Sequence, residues 1–272
     1  MRQCRLLYSY LKDGTLNAIT VFLQFDRWCT LAWTDIRLRY RRTKLGRFWM
    51  TLNTAFFVLS VGLVWGFVFQ MPMRDYLPYF ALGIVVWTFI SSTITEGCRV
   101  FLDAHHVIKS LPNPISLYVW RLLARQLICL AHNLLFLAIL WLVIQRPLPS
   151  GALAAVPGLI LLIMALVGAI FALGTLCARF RDIPQLVTSV LQVLFLVTPI
   201  IWHPARLATS PWSEALFYAN PIYDLIVVIR SPILGEETTA LHWLGASFAA
   251  VSMLLVGLTL FGRFSKRIAY WL

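Results

Sequence analysis

Six stretches of about 20 mostly apolar residues, approximately 50–69, 77–95, 122–144, 153–178, 184–202 and 241–262, constrain this sequence more than any other feature. A membrane hydrocarbon layer is ~30 Å thick and an α-helix rises ~1.5 Å per residue, so each stretch is long enough to cross it as a helix. Charge or Pro and Gly bound them: Arg47 precedes the first, Glu96 and Arg99 follow the second, Arg146 and Pro147 the third, and Arg179, Arg181 and Asp182 the fourth. At 272 residues, 60% hydrophobic and 12% charged, the chain has more apolar side chain than one soluble core can hide. Its charge is about half the ~25% of an ordinary soluble domain. The expected fold is an all-α membrane protein with six transmembrane helices, forming a single membrane-embedded domain over residues 1–272.

Six crossings put both termini on one side. Lys and Arg are retained in the cytoplasm. With both termini cytoplasmic, 19 of the 23 Lys and Arg residues lie inside, and only Arg74, Arg146, Arg206 and Arg230 lie outside. The formal net charge of +12 is therefore read as a topology signal that also favours anionic headgroups, and nucleic acid is not an expected partner. The first twenty-five residues contain no compact apolar core with a small-residue cleavage site, so the N-terminus is expected to be retained. Cys4, Cys29, Cys98, Cys129 and Cys177 show no CxxC spacing, and no disulfide framework or zinc site is expected. The sequence holds no GxxxxGK[ST], HExxH or GxSxG, so any nucleotide energy must come from another chain.

Three segments lie outside the six spans. Residues 26–49, DRWCTLAWTDIRLRYRRTKLGRFW, are too charged to cross the membrane and too aromatic to float free. Such a segment reads as an amphipathic interface helix, with rings toward lipid and guanidinium groups toward phosphate, and as a docking helix for a cytosolic partner. Residues 97–115 form a cytoplasmic loop whose first part can make a short amphipathic helix before the turn Pro112-Asn113-Pro114. His105 and His106 are adjacent, point to different faces, and cannot make a helical metal pair, so no metal role is expected. Residues 203–240 carry the apolar run from Ile222 to Leu234, too short to cross, which reads as re-entrant or surface helices broken at Asn220-Pro221.

Polar residues recur at helical spacing in the spans: Thr88, Ser92, Thr95 and Glu96 in the second, Gln126, His132 and Asn133 in the third, and Gln185, Thr188, Ser189 and Gln192 in the fifth. Each Ser, Thr, Asn or Gln alone is readily explained as a bridge between helices, whereas Glu96 and His132 are costlier placements because buried ionisable groups need partners. Together, Thr88, Ser92, Gln185, Thr188 and Gln192, with the rings of Tyr79, Trp87 and Phe89, are the candidate lining of a conduit for a hydroxyl-rich solute. Belts at the membrane surface account for most other aromatics. Small residues such as Gly62 and Gly66, or Gly168 and Ala172, are explained by packing within one bundle.

Several phrases in order along the chain, DIRLRYRRTKLGRFW, YLPYFALGIVVWTFISS, ARFRDIPQ, TPIIW, NPIYDLI and RFSKRIAYWL, resemble the permease subunits of bacterial ABC exporters of surface polysaccharide. The likeness is greatest to the O-antigen type, with capsule and teichoic-acid permeases as relatives. The resemblance implies a multi-pass protein of the bacterial inner membrane that makes and breaks no covalent bond. It implies a homodimer working with two copies of a cytosolic ATP-binding subunit, which holds the ATP and Mg, while this chain carries no cofactor. It implies a polyprenyl-linked polysaccharide as the substrate. Carried over by position, Arg37, Arg39, Arg41, Arg42 and Arg47 lie by the ATPase subunit and lipid phosphate. Arg99, Asp103, His106 and Lys109 then transmit its movement, and Asn220, Pro221 and Tyr223 shape an outer gate. Two other readings are a lipid or drug exporter of the same architecture and a membrane enzyme acting on polyprenyl-linked sugars. The second is disfavoured because the acidic residues are scattered singly except for Glu236-Glu237.

Overall fold

The computed structural model of the chain describes residues 2–39, 41, 45–46, 48–145, 147–204 and 220–272, with side chains from residue 9 onward. Arg42 and Arg47 of the coupling set lie outside the described residues. The described elements are α1 (Arg2–Phe22), α2 (Phe25–Arg39), α3 (Phe48–Phe69), α4 (Met73–Arg99), α5 (His105–Ser110), α6 (Ser116–Ile144), a 3-10 turn (Ser150–Ala154), α7 (Ala155–Arg179), α8 (Ile183–Val197), α9 (Pro221–Leu234) and α10 (Ala240–Trp271). No strand occurs among the described residues. Five helices are long and apolar enough to cross a membrane: α3, α4, α6, α7 with its leading 3-10 turn, and α10.

Where a fifth crossing was expected over 184–202, the helix is only α8, 15 residues ending at Val197. The cause is Pro199. A proline forces the residue before it out of the α region, and Thr198 sits at φ −77° and ψ 132°. The rest of the run, Ile200 to Trp202, folds back as irregular backbone. The interface helix also differs from its expected bounds of 26–49. It stops at Arg39, Gly46 takes a left-handed φ of 57°, and a separate helix begins at Phe48.

The long helices pack where side chains are smallest. A Cβ on Gly168 of α7 would stand 2.3 Å from the Met253 carbonyl oxygen of α10, and one on Gly257 would stand 2.2 Å from the Gly168 oxygen. Only glycine at both positions lets the two backbones meet so closely. Gly62 and Gly66 of α3 receive Leu77, Phe80, Met73 and Tyr76 of α4, so that pair serves packing within the chain. The middle of α4, from Tyr79 to Ile90, is almost wholly buried apart from Thr88, and it forms the spine of the bundle. In contrast, α3 and α8 leave most of their apolar side chains exposed, among them Phe56, Phe67, Leu186 and Val193.

Helix α1 was not foreseen. Leu11, Gly14, Ala18 and Val21 recur at spacings of three and four, the stripe of a helix with one packed face. That face lies on α6 and α10: Ser116 Oγ donates to the Asn17 carbonyl at 3.1 Å, and Trp120 Nε1 donates to the Ala18 carbonyl at 3.0 Å. Trp28 of α2 completes the corner, donating to the Phe22 carbonyl at 3.1 Å and meeting Trp120 at 6.3 Å between ring centroids.

Candidate functional site

Polar chemistry concentrates at the two ends of α4. At the end leading to α5, α2, α4 and α6 meet in a network of charge. Asp35 of α2 accepts from Arg121 Nε at 2.7 Å, from Arg121 Nη2, and from Arg125 Nη1 at 3.1 Å. Glu96 of α4 accepts from Arg125 Nη2 at 2.5 Å and Gln126 Nε2 at 2.9 Å on one oxygen, and from Arg39 at 3.3 and 3.4 Å on the other. Ser92 Oγ donates to Gln126 Oε1 at 3.0 Å, continuing the network into the bundle. A carboxylate inside a helix bundle needs compensating charge, and Arg supplies it with planar, multiply donating groups. This resolves the costly placement of Glu96. A cavity of about 380 Å³ opens beside the network, walled by Arg39, Glu96, Arg99, Tyr118, Arg121 and Arg125 among others.

Of the residues assigned to partner coupling, Arg39 is committed to Glu96, and Arg99 is paired with Asp103 at 3.3 Å on the exposed surface. Arg37, Arg41, His106 and Lys109 are exposed. Sequence reasoning missed Asp35, Arg121 and Arg125, which tie α2 to the bundle. Asp35 is one of two acidic residues, with Asp26, in an otherwise basic segment. Arg121 and Arg125 are four apart and so share a helix face, which was the available signal.

At the other end of α4, the irregular segment from Thr198 to Trp202 is held by side chains from α4 and α9. Tyr76 hydroxyl donates to the Ile201 carbonyl at 2.7 Å, and Tyr79 hydroxyl reaches the Pro199 and Trp202 carbonyls at 3.2 and 3.0 Å. Arg230 of α9, only 2% exposed, donates from Nη1 to the Pro199 carbonyl at 2.8 Å. Its guanidinium carbon lies 3.9 Å from the centre of the Tyr79 ring, a cation–π contact. Non-helical backbone deep in a membrane protein must find its hydrogen bonds inside the protein, and these side chains supply them.

Asn220 and Pro221 begin α9 in the usual manner of a capped helix. The Asn220 side chain accepts from the backbone N–H groups of Ile222 at 3.1 Å and Tyr223 at 3.4 Å, and its amide donates to Thr198 Oγ1 at 2.9 Å. Tyr223 is buried beside His242, and Pro221 is exposed. Asp224 and His242 form a buried pair at 2.7 Å, with Gly245 leaving room for the carboxylate. At the end of α9, His203 holds the Glu236 carboxyl below the usual carboxylate range against the opposing effect of burial, with Arg230 and Ser231 assisting.

The residues singled out as a conduit divide into four groups. Tyr79 and Phe89 are buried between helices, and the Tyr79 hydroxyl is occupied by backbone. Trp87 and Thr88 line a shallow groove of about 330 Å³ with Phe57, Ile84, Ser91 and Phe195, and the Trp87 and Phe195 rings lie 5.6 Å apart. Ser92 belongs to the charged network. On α8, Gln185 and Gln192 are exposed, while Thr188 is half-buried and donates to the Pro184 carbonyl at 2.9 Å. Asn133 is a bridge between helices, accepting from Thr54 at 3.0 Å. Among the described residues no group of His, Cys, Asp and Glu could hold a metal ion.

Comparison with known proteins gives this arrangement a family. The chain is 22% identical over 251 residues to an O-antigen export system permease protein RfbA of Klebsiella pneumoniae, covering 90% of this chain and 94% of the relative. It is 20% identical to the O-antigen export system permease protein RfbA of Myxococcus xanthus, over 84% of this chain and 87% of the relative. It is 24% identical to the polysialic acid transport protein KpsM of Escherichia coli, over 84% and 89%. The family model for the ABC-2 type transporter matches residues 26–234, from the start of α2 to the end of α9. With most of its length in that match and five apolar helices of membrane-crossing length, the chain belongs to the ABC-2 type transporter family of membrane permeases.

Proposed function

We propose that the chain is the membrane subunit of an ATP-driven exporter that carries a lipid-linked surface polysaccharide from cytoplasm to periplasm. The observation that supports this most is the set of relatives named for O-antigen export and polysialic acid transport, each matching 84% or more of the chain. The subunit works as a homodimer in the bacterial inner membrane, with two copies of a cytosolic subunit that binds ATP and Mg. Both termini and the charged end of α4 face the cytoplasm, as the distribution of Lys and Arg favours. In this reading α8 and the captured segment after it form the fifth crossing. A 15-residue helix reaches only ~22 Å, and the folded segment supplies the remaining depth under the cover of α4 and α9.

The exposed faces of α3 and α8 favour a second copy of the chain. Gln185, Ser189 and Gln192 recur on one face of α8 and are uncovered in the single subunit. Uncovered amides facing lipid are unfavourable, whereas a face turned to a partner or to a wet conduit satisfies them. The Trp87 groove adjoins this face and offers aromatic surface to sugar rings. ATP-driven closure of the partner subunits presses on the loop around α5 and on α2, and the charged network conveys that movement to α4 and α6. A long hydrated polymer suits a continuous conduit moved in repeated strokes better than one small occluded pocket.

Deletion of the gene tests the reading. Glycan should accumulate inside the cell on its carrier while synthesis continues, and an unchanged amount of surface glycan would reject the substrate assignment. Removal of residues 35–47 should release or uncouple the ATPase subunit, and unchanged co-purification and turnover would reject docking through that segment.

A further inference from the structure

We propose that the cavity between the ends of α7 and α10 is a binding site for a bilayer phospholipid with an anionic headgroup, which the chain holds and does not transport. The cavity, about 120 Å³, is walled by Thr175, Leu176 and Arg179 of α7, by Phe180 just after it, and by Phe264 and Trp271 of α10. The two helices finish side by side there because Gly168 and Gly257, earlier along each, let their backbones meet. The inference needs only a membrane-embedded bundle and stands apart from the export reading.

Arg179 is held at this cavity by rings. Its guanidinium carbon lies 5.3 Å from the centre of the Phe180 ring and 5.5 Å from that of Trp271, two cation–π contacts, and Phe264 meets Trp271 at 5.5 Å between centroids. Among the described residues Arg179 makes no ion pair and donates no hydrogen bond, and the Trp271 indole N–H donates none either. Spacings of three and four put Arg267 on the face of α10 that carries Phe264 and Trp271, and it is exposed. Arg181 is exposed in the turn after α7. Asp182 is the carboxylate of that turn, and it pairs with none of the three arginines. A cation at the end of α7 complements the helix dipole, which accounts for one arginine. It does not account for a guanidinium fixed between two rings with its donors unspent, or for Arg267 beside the same rings.

The walls select the ligand. Apart from Arg179 and Thr175, whose hydroxyl is spent on the Phe171 carbonyl at 2.7 Å, they are apolar. Arg donates paired N–H groups to phosphate oxygens, so the matching ligand joins a phosphate to a hydrocarbon part. At about 120 Å³ the cavity is well below the ~300–1,000 Å³ of a site that engulfs a soluble small molecule, so only part of the ligand enters. A bilayer phospholipid meets that condition: its glycerol region fills the slot, its phosphate meets Arg179, and its chains stay in the membrane. Trp271 suits the same depth, since an indole at headgroup level sets its ring against apolar atoms and its N–H toward polar ones. A zwitterionic headgroup brings a second cation toward the arginines, whereas an anionic one does not. Binding requires no bond to form or break.

The test uses the full chain purified in detergent, with phosphatidylglycerol, phosphatidylcholine and glycerol 3-phosphate as probes and native mass spectrometry as the readout. Phosphatidylglycerol should be retained about tenfold more strongly than phosphatidylcholine, should be released by salt, and should raise the melting temperature. Arg179→Gln should weaken retention about tenfold, as expected for loss of a charged donor to phosphate. Arg267→Gln, an exposed change that keeps the test decisive if Arg179→Gln fails to fold, should weaken it severalfold. Lys12→Gln removes an exposed charge from α1 and should leave retention unchanged. Equal retention of the two phospholipids, or the same loss in Lys12→Gln as in Arg179→Gln, would show general attraction of lipid to a basic protein and overturn the site. Wild-type retention in both arginine variants would overturn it as well. Displacement of phosphatidylglycerol by an equal concentration of glycerol 3-phosphate would assign the cavity to a free phosphate and overturn the lipid source.

Discussion

Replacing Asp35 with Asn should detach α2 from the bundle without unfolding the bundle itself. Asp35 accepts three guanidinium hydrogen bonds, two from Arg121 and one from Arg125, and its side chain is 15% exposed. Asparagine keeps one acceptor oxygen but removes the charge, leaving Arg121 without its carboxylate partner and Arg125 with Glu96 alone. Breaking a buried ion pair from one side costs roughly 3–5 kcal/mol, but Arg121 is 30% exposed and water recovers part of that. About 2 kcal/mol is the expected loss, a ~30-fold rise in the open population of α2. Hydrogen exchange of the α2 amides in nanodiscs reads this directly, with Arg37→Gln as the control because Arg37 is exposed on the same helix. In a double-mutant cycle, Arg121→Gln should add much less in the Asp35→Asn background than alone, with a coupling of ~1 kcal/mol or more. Exchange of α2 within about twofold of wild type would refute the claim that this network holds the helix.

Three further outcomes follow from the packing and the outer clamp. Gly168→Ala should destabilise the protein by about 2–3 kcal/mol or more in thermal unfolding in detergent, because its Cβ meets backbone of α10 that cannot rotate away, whereas Gly151→Ala, with nothing near, should leave the melting temperature unchanged. Tyr79→Phe removes the hydroxyl that reaches the Pro199 and Trp202 carbonyls and should cost about 1–2 kcal/mol in the same measurement, with faster exchange of backbone amides around residues 200–202. Glu236 has a folded pKa below its unfolded value, so its stabilising contribution is full above the ordinary carboxylate range and is lost as pH falls through the lowered folded value. The stability difference between wild type and Glu236→Gln should accordingly be present at neutral pH and shrink below about pH 4.5, and a difference independent of pH would refute it.

The helical class and most long elements were legible because lipid imposes a strong rule: a run of apolar residues long enough to cross must satisfy its own backbone. The helices α3, α4, α6, α7 and α10 contain the runs from which five spans were expected. The run at 184–202 misled because hydropathy counts Pro199-Ile200-Ile201-Trp202 as apolar helix, whereas Pro199 breaks the backbone and distant side chains then satisfy it. Those partners, Tyr76, Tyr79 and Arg230, are more than a hundred or about thirty residues away from the segment, and no local pattern joins them. Arg230 was read only as one of four basic residues on the outside, yet it is buried. The charged cluster was half legible. Glu96 was recognised as a costly placement, but its partners Arg125, Gln126 and Arg39 are identified only when α2 and α6 are brought against α4. Helix α1 was missed because its overall polarity hid a regular packed stripe.

The two polar clusters share a single element. The charged network joins α2, α4 and α6, the clamp joins α4, α9 and the segment after α8, and α4 alone contributes to both. From Tyr79 to Glu96 the helix rises about 25 Å. Between those residues nearly every side chain down to Ile90 is buried, so this stretch cannot bend without disrupting the core that surrounds it. A displacement of Glu96 by the charged end therefore reaches Tyr79 as tilt or translation of a stiff rod rather than being absorbed along the way. At the far end it meets a stretch of backbone with no helical ladder of its own, tied by side-chain hydrogen bonds from Tyr76, Tyr79 and Arg230. Stiffness in α4 and looseness in the segment it holds are thus complementary: under the proposed export function, movement delivered at one end of α4 would be expressed at the other, where α8 and its exposed polar face are attached.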